Sequence, residues 1–211
     1  MPLSRSSQLS LFVLLGAASG SVGAAGYALI EQSITGLGRA YSGSAAVADD
    51  ASTIYFNPAG LTNLSRKELN MGLNVIAPRA EFSDRGSNIN GTPLTGGDGN
   101  NAGELALIPH FYYANPINDK TVAGIGIGAP FGLVTDYGDS WQGRYHAIRS
   151  DLLTLNINPS IAFKTTEKLS LGFGINLQYI DLELSQAANF GALTGASQQN
   201  DGRVRLTADD W

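Results

Sequence analysis

The sequence predicts an all-β fold, a transmembrane antiparallel β-barrel, on three observations. Charged residues make up 15% of the chain although 43% of its 211 residues are hydrophobic, whereas soluble domains carry about 25% charged residues. Beyond the N-terminus, no apolar run reaches the ~18 residues that a membrane-spanning helix needs. Polar and apolar residues alternate in repeated segments, each close to the ~9–11 residues with which a tilted strand crosses a bilayer.

The N-terminus has the order of features typical of a secretory signal. Arg5 precedes the apolar run from Leu9 to Ala18, and the small residues of 23–25 follow it. This order predicts a signal peptide over residues 1–24, with a buried N-terminal helix as the alternative. The sequence contains no cysteine, which excludes disulfides and thiolate metal sites. Its net charge of −5 argues against nucleic acid as a partner.

Residues 25–64 are predicted to form a plug inside the barrel. The segment is rich in Gly, Ala and Ser, lacks strand alternation and carries a few isolated charges, which suits packing in a polar lumen. A disordered linker is the alternative, but five large apolar or aromatic side chains argue against it. These side chains are Tyr27, Tyr41, Ile54, Tyr55 and Phe56.

Residues 65–211 are predicted to form five to six strands. Short connections at 115–120 and 165–168 alternate with long polar ones at about 84–103, 132–150 and 185–202. Short turns on one side and long loops on the other are typical of outer-membrane barrels, although a soluble β-sandwich would also alternate. Since single-chain barrels need at least about eight strands, we expect this region to be the first part of a longer barrel.

The alternation also predicts which side chains face lipid and which face the lumen. We expect one set to point outwards: Leu153, Leu155, Ile157, Phe163, Leu171, Phe173 and Ile175. We expect the other set to point inwards: Asn156, Asn158, Asn176 and Gln178.

The stretch TVAGIGIGAPFG (residues 121–132) is predicted to be the third strand. Its glycines fall on every second residue and no helix-forming run follows, so the G-x-G-x-x-G pattern of a phosphate-binding loop is absent. Glycines on the inward face allow another backbone to approach closely. Pro130 stands where the strand should still be pairing, so it marks either a bulge or the end of the strand at the membrane surface.

The chemistry of an enzyme, a metal site or a cofactor site is hard to find in the sequence. There is no G-x-S-x-G motif, and His110 and His146 are interpreted as solvated polar residues in the lumen and in a long loop. Asp49 and Asp50 are the candidates for a cation site, but an ion pair with Arg39 inside the plug is the simpler interpretation. We therefore expect no catalytic residues, no metal and no cofactor.

Residues 36–61 resemble the N-terminal hatch of the FadL/TodX-like family of outer-membrane proteins, the long-chain fatty acid transporters. The matching positions are Gly36, Gly38, Arg39, Tyr41, Asp49, Asp50, Asn57, Pro58 and Ala59. Similarity continues at 116–120, 132–137 and 155–158. The resemblance implies a fourteen-stranded barrel, blocked by the hatch, in the outer membrane of a Gram-negative bacterium. It also implies passive uptake of hydrophobic molecules, most of all long-chain fatty acids, with outer-membrane lipid around a monomer.

By the same resemblance, the third strand kinks inwards and opens a gap in the barrel wall for lateral exit. The positions that match the kink are Ala129, Pro130, Phe131 and Gly132, and the Asn57-Pro58-Ala59 motif is implied to lie beside it. We therefore expect Asn57 to hydrogen-bond backbone groups that the kink leaves unpaired.

One departure from the family pattern concerns the ligand's carboxylate. The position of the family's pocket arginine falls at Gln186, and the nearby Asp181 and Glu183 would repel a carboxylate. The remaining candidates for a cation are Arg144, Arg149, Arg203 and Arg205. An uncharged hydrophobic substrate such as an aromatic hydrocarbon is the alternative, and an outer-membrane enzyme acting on lipids or an adhesive barrel are the rival functions.

Overall fold

The computed structural model describes residues 28–195 and 197–211, so the predicted signal peptide lies outside the described residues. The N-terminal segment (residues 28–64) contains two short α-helices and a 3-10 helix. Helix α1 spans Ile34–Gly38, α2 spans Thr53–Phe56, and the 3-10 helix spans Pro58–Asn63. The described residues contain no helix long and apolar enough to cross a membrane.

The rest of the chain is built from strands. The first four are β1 (Glu68–Ile76), β2 (Asn88–Ile89), β3 (Thr92–Pro93) and β4 (Ala106–Asn118). The next four are β5 (Thr121–Gly128), β6 (Gly132–Asp136), β7 (Arg149–Thr166) and β8 (Leu169–Gly174). They are followed by β9 (Leu177–Ala188), a 3-10 helix (Phe190–Thr194) and β10 (Gly202–Asp210). The strands around the two short connections run further than predicted, so each connection is tighter than expected.

One antiparallel sheet contains all the long strands, in the order β1-β4-β5-β7-β9-β10. Strands β6 and β8 also pair with β7, as continuations of the same strand positions as β5 and β9. The sheet therefore has six strand positions, each next to its neighbour in the chain. This confirms the prediction of an all-β antiparallel architecture with five to six strands.

The break between β8 and β9 has a local cause in Pro159 of β7. The register is unchanged across the break, because Ser160 pairs with Gly174 and Ile157 pairs with Leu177. Between them, the N–H of Ile175 donates to the carbonyl of Pro159 at 3.1 Å. Proline has no N–H to return this bond, so the ladder loses one hydrogen bond while the strand continues.

In the half of the sheet nearer the short connections, the side chains of the two faces have the predicted orientation. The aliphatic and aromatic set is largely exposed on the outer face, with Leu153, Phe173 and Ile175 more than half exposed. On the inner face, the amides of Asn156 and Asn158 both donate to the side-chain oxygen of Asn176. The N-terminal segment packs on this inner face, where its Ile54 and Leu61 form a buried cluster with β4, β5 and β7.

Candidate functional site

The third strand position is broken by a β-bulge between β5 and β6. Gly128 pairs with Asn156, and Gly132 pairs with Leu153. Residues 129, 130 and 131 therefore oppose only residues 154 and 155 of β7, so one residue is extra. A bulge bends its strand and increases the local twist, and Pro130 is tolerated there because it donates no ladder hydrogen bond.

Beyond the bulge, β6 stays with β7 but leaves β4. The last pair between β4 and β5 joins His110 to Gly128, whereas residues 106–109 of β4 keep their partners on β1. Residues 132–136 pair with β7. The sheet closes again further on, where Gly103 bridges Thr135. The result is a wall gap, bounded by residues 106–109 on one side and by β6 on the other.

The wall gap opens on an apolar cavity of about 300 Å³. Its lining comes mainly from the two edges of the gap and includes Leu105, Leu107, Phe131, Leu133, Val134 and Leu153. Among the described residues that line it, Glu104 is the one that carries a charge, and its carboxylate pairs with Arg149 at 3.1 Å. An apolar surface of this kind accommodates hydrocarbon, whose transfer from water is favourable by roughly 0.8 kcal/mol for each CH₂ group.

The start of the N-terminal segment lies along the bulge on the lumen side. Ala28 forms an antiparallel bridge with Phe131, and the N–H of Leu29 donates to the carbonyl of Pro130 at 2.9 Å. The amide nitrogen of Gln32 donates to the carbonyl of Ala129 at 2.7 Å. Backbone groups that the bulge removes from the ladder are thus satisfied by this segment. Its displacement would leave them unpaired.

Thr154 of β7 hydrogen-bonds the backbone of Phe131, the remaining residue of the bulge. Its hydroxyl accepts a hydrogen bond from the N–H of Phe131 at 3.0 Å and donates to the carbonyl of Phe131 at 2.6 Å. The side chain is buried, so these bonds are protected from solvent. The role of Thr154 is not predictable from the sequence, because nothing in the alternating pattern of β7 distinguishes it from its inward-facing neighbours.

The prediction that Asn57 hydrogen-bonds the backbone of the third strand is wrong. The Asn57 oxygen accepts from the N–H of Ala59 at 3.2 Å, which caps the 3-10 helix, and its amide donates to the carbonyl of Ala45 at 2.8 Å. Pro58 takes the first helical position, where its missing N–H costs nothing. The motif packs against β8, where a Cβ added at Gly172 would lie 2.2 Å from the nitrogen of Ala59. Leu29 and Gln32 make the contacts that were expected of Asn57.

The inward glycines of β5 admit side chains of the N-terminal segment. A Cβ added at Gly124 would lie 2.7 Å from Ile54, and one at Gly126 would lie 3.0 Å from the same side chain. A Cβ added at Gly128 would lie 2.6 Å from the side-chain oxygen of Gln32. The glycines therefore admit close contact on the inner face, but the prediction that another backbone makes this contact is wrong, because side chains of the N-terminal segment approach the strand.

The other predicted hatch positions lie together in the N-terminal segment. Tyr41 packs its ring over Gly36, where a Cβ would lie 2.8 Å away, and its hydroxyl donates to the carbonyl of Ser33 at 3.1 Å. Burial, helped by the charge of Glu31, raises the pKa of the Tyr41 hydroxyl above its usual range, so this donor keeps its proton. Gly38 has no neighbour that would contact a Cβ.

The charged positions of the hatch form local contacts. Arg39 and Asp49 form an ion pair, with about a third to a half of each side chain exposed. Asp50 accepts a hydrogen bond from the N–H of Ser52 at 2.8 Å. No group of three or more acidic or histidine side chains within the described residues could hold a metal ion.

The two histidines lie in different surroundings. His110 is 3% exposed, next to Gly72 and Tyr112, so its interpretation as a solvated lumen residue is wrong. The N-terminal segment covers the inner face of β4 here, which the alternating pattern of β4 cannot reveal. His146 is exposed in the loop between β6 and β7. It lines a second cavity of about 410 Å³, together with Leu184, Gln186, Val204 and Leu206.

Towards the long loops, the polarity of the two faces is reversed. Directly paired residues of an antiparallel sheet point to the same face. Asp181 and Glu183 pair with Leu153 and Asp151 of β7, so they share the outer face with Leu153. Their alternate neighbours Ile180, Leu182 and Leu184 therefore face the lumen, as do Val204 and Leu206, which pair with Gln186 and Leu184. The lumen is polar beside the N-terminal segment and apolar beyond it.

This geometry corrects the expectation that Asp181 and Glu183 would repel a carboxylate inside the lumen, because both point away from it. The four candidate arginines are engaged elsewhere. Arg144 is buried and binds Asp201 at 2.8 Å, the carbonyl of Thr95 and the hydroxyl of Tyr145. Each of the others forms ion pairs, which join Arg149 to Glu104, Asp136 and Asp151, Arg203 to Asp139, and Arg205 to Glu183.

Comparison with known proteins agrees with the fold. Residues 15–211 match the family described as outer membrane protein transport protein (OMPP1/FadL/TodX). Outer membrane protein P1 of Haemophilus influenzae is 32% identical over 200 residues, which is 90% of this chain and 43% of that protein. The long-chain fatty acid transport protein of Escherichia coli (strain K12) is 35% identical over 166 residues, 78% of this chain and 36% of that protein.

Among solved structures, the crystal structure of a Pseudomonas aeruginosa FadL homologue superposes with a TM-score of 0.73 at 23% identity. The match covers 88% of this chain and 47% of that chain, and it shows that the fold is shared. The chain spans less than half the length of the curated relatives that it matches. An antiparallel sheet with the N-terminal segment packed on its inner face, and a match over nearly the whole sequence, lead to one conclusion: the chain belongs to the OMPP1/FadL/TodX family of outer-membrane transport proteins of Gram-negative bacteria.

Proposed function

We propose that the full-length protein is a passive, non-enzymatic channel for the uptake of hydrophobic molecules, of which long-chain fatty acids are the first candidates. The observation that carries this proposal is the apolar cavity of about 300 Å³ in the wall gap, where β6 leaves β4. The name of the E. coli relative, a long-chain fatty acid transport protein, supports the substrate class. The protein would act as a monomer surrounded by outer-membrane lipid.

The proposed route enters from the side of the long loops and leaves sideways. The apolar upper lumen, with Leu182, Leu184 and Leu206 facing inwards, would hold the hydrocarbon chain after it leaves the loops. The polar inner face beside the N-terminal segment, where Asn156 and Asn158 lie, opposes further descent of an apolar ligand. The wall gap instead leads the ligand into the bilayer, where each of its CH₂ groups stays out of water.

The position of the gap is tested by restoring regular pairing in the full-length protein. Deletion of Ala129 together with Pro130→Val removes the extra residue and supplies the missing donor, so β6 should pair with β4. Uptake of labelled oleate by cells should then fall to the background level. Pro159→Val is the matched control, because this proline interrupts pairing away from the gap and its replacement should leave uptake unchanged. Normal uptake by the sealed variant would show that the ligand leaves through the N-terminal segment towards the periplasm.

A second substrate class is favoured by the positions of the arginines. Arg144, Arg149, Arg203 and Arg205 are all held by carboxylates or carbonyls of the chain, and Gln186 faces the lumen at the position of the family's pocket arginine. An uncharged hydrocarbon needs no counter-ion in an apolar pocket, whereas burying a carboxylate without one is costly. Parallel uptake assays with labelled oleate and toluene distinguish the two classes.

A further inference from the structure

Three buried polar side chains surround a very small cavity beside the bulge. Gln32, Tyr112 and Asn156 line it together with Gly128 and Pro130, and its volume is about 10 Å³. The exposed fractions of the three polar residues are 0%, 2% and 7%. They come from the N-terminal segment, from β4 and from β7, so the cavity lies where three parts of the fold meet.

Each of these side chains has one buried oxygen without a hydrogen-bond partner among the described residues. These atoms are the Oε1 of Gln32, the hydroxyl of Tyr112 and the Oδ1 of Asn156. The Nε2 of Gln32 is fixed by its bond to the carbonyl of Ala129, and the Nδ2 of Asn156 by its bond to Asn176. The orientation of both amides is therefore determined, and both leave an acceptor oxygen unsatisfied.

The oxygens of Gln32 and Tyr112 converge on one point. A Cβ placed on Gly128 would lie 2.6 Å from the Oε1 of Gln32 and 3.8 Å from the hydroxyl oxygen of Tyr112. Only a residue without a side chain leaves room between them. A cavity needs roughly 10–15 Å³ of volume, measured in this way, and two to four polar partners to hold one water molecule. This cavity has the volume and three partners.

We propose that this cavity is a binding site for one ordered water molecule that locks the N-terminal segment onto the bulge. The water donates hydrogen bonds to the Oε1 of Gln32 and the Oδ1 of Asn156 and accepts one from the hydroxyl of Tyr112. Both of its donors and one acceptor site are then used, and each buried oxygen gains a partner. Without it, each of these buried oxygens would lack a hydrogen bond, which is unfavourable.

The water gives Gln32 a second connection to the edges of the wall gap. The Nε2 of Gln32 binds the bulge directly at Ala129, and its Oε1 reaches β4 and β7 through the water. The N-terminal segment cannot leave the bulge without breaking both connections. This role rests on the proposed lateral route, because the lock would set how often the segment frees the lumen side of the gap.

Hydrogen exchange of the resting full-length protein, without substrate, tests the lock. Tyr112→Phe removes one hydroxyl and should speed exchange of the Leu29 amide, which donates to Pro130, by about tenfold. Tyr113→Phe is the matched control: it is the next residue of β4, it does not line the cavity, and it should leave exchange unchanged. Equal exchange rates in the two variants would overturn the proposal.

A high-resolution crystal structure of the full-length protein should show one water within hydrogen-bonding distance of all three oxygens. A cavity without that water would overturn the proposal. The outcomes remain separable from those of the proposed function, because exchange is measured without transport. If the sealed-gap variant takes up oleate normally while Tyr112→Phe speeds exchange, lateral exit fails and the water site stands.

Discussion

The hydroxyl of Thr154 hydrogen-bonds both backbone polar groups of Phe131, as acceptor from its N–H and as donor to its carbonyl. Phe131 is the last residue of the bulge, and Thr154 is one of the two residues of β7 that oppose it. A side chain here takes the place of a strand partner. The bulge is therefore a stable feature of the third strand, because its displaced backbone remains satisfied.

Replacing Thr154 by Val keeps the shape of the side chain but removes both bonds. Two buried backbone groups then lack a partner, so the free energy of unfolding of the full-length protein should fall by about 1–3 kcal/mol. Urea unfolding in lipid vesicles measures this change. Thr207→Val on exposed β10 is the control and should have no measurable effect. A Thr154→Val variant as stable as this control would show that Phe131 is satisfied by other means.

The two glycines of α1 should respond differently to replacement by alanine. At Gly36 the new methyl group would lie 2.8 Å from the ring of Tyr41, so the ring must move and its hydrogen bond to Ser33 weakens. At Gly38 nothing lies within 4 Å, and alanine favours a helix by about 1 kcal/mol. Limited proteolysis of the folded full-length protein should cleave the N-terminal segment faster in Gly36→Ala and no faster in Gly38→Ala. Equal cleavage of both variants would contradict the packing of Tyr41.

A disulfide should fix the N-terminal segment in place across the bulge. Ala28 and Phe131 form an antiparallel bridge, and the Cα atoms of such pairs lie about 4.5–5.5 Å apart, within the range of a disulfide. The chain contains no other cysteine. In Ala28→Cys/Phe131→Cys, oxidation should block uptake of labelled oleate and dithiothreitol should restore it. Each single variant serves as a control, and uptake that is insensitive to oxidation would show that this contact need not open.

Neighbouring residues of β7 should tolerate arginine differently. Ile157 belongs to the outer, lipid-facing set, and Asn158 faces the lumen, where its amide donates to Asn176. Ile157→Arg should impair assembly by roughly 2–4 kcal/mol near the middle of the bilayer, whereas Asn158→Arg should be milder. Heat-modifiable mobility of the full-length protein in outer-membrane extracts measures assembly. The same loss from both substitutions would contradict the assignment of the faces.

The predictions that rest on the alternation of polar and apolar residues agree with the structure. Alternation with a period of two gave six strand positions, the outward set around Leu153 and Phe173, and the inward asparagines. These features follow from the geometry of each strand alone, since successive side chains point to opposite faces. The glycines of residues 121–132 likewise predicted close contact on the inner face.

The contacts across the bulge were decided by tertiary structure, because they join residues far apart in the chain. Gln32 lies 97 positions from Ala129, and Phe131 lies 23 positions from Thr154. A lone glutamine or threonine carries no periodic signal, so the resemblance favoured Asn57, which instead caps its own helix. The reversal of polarity between Leu153 and the long loops was also not predicted from the sequence. The face that Asp181 occupies was assigned from its pairing with β7. The sequence by itself determined the strand positions and the faces around Leu153 and Phe173, and the packing of the N-terminal segment decided which backbone groups it satisfies, because unpaired groups take whichever partner the fold brings within reach.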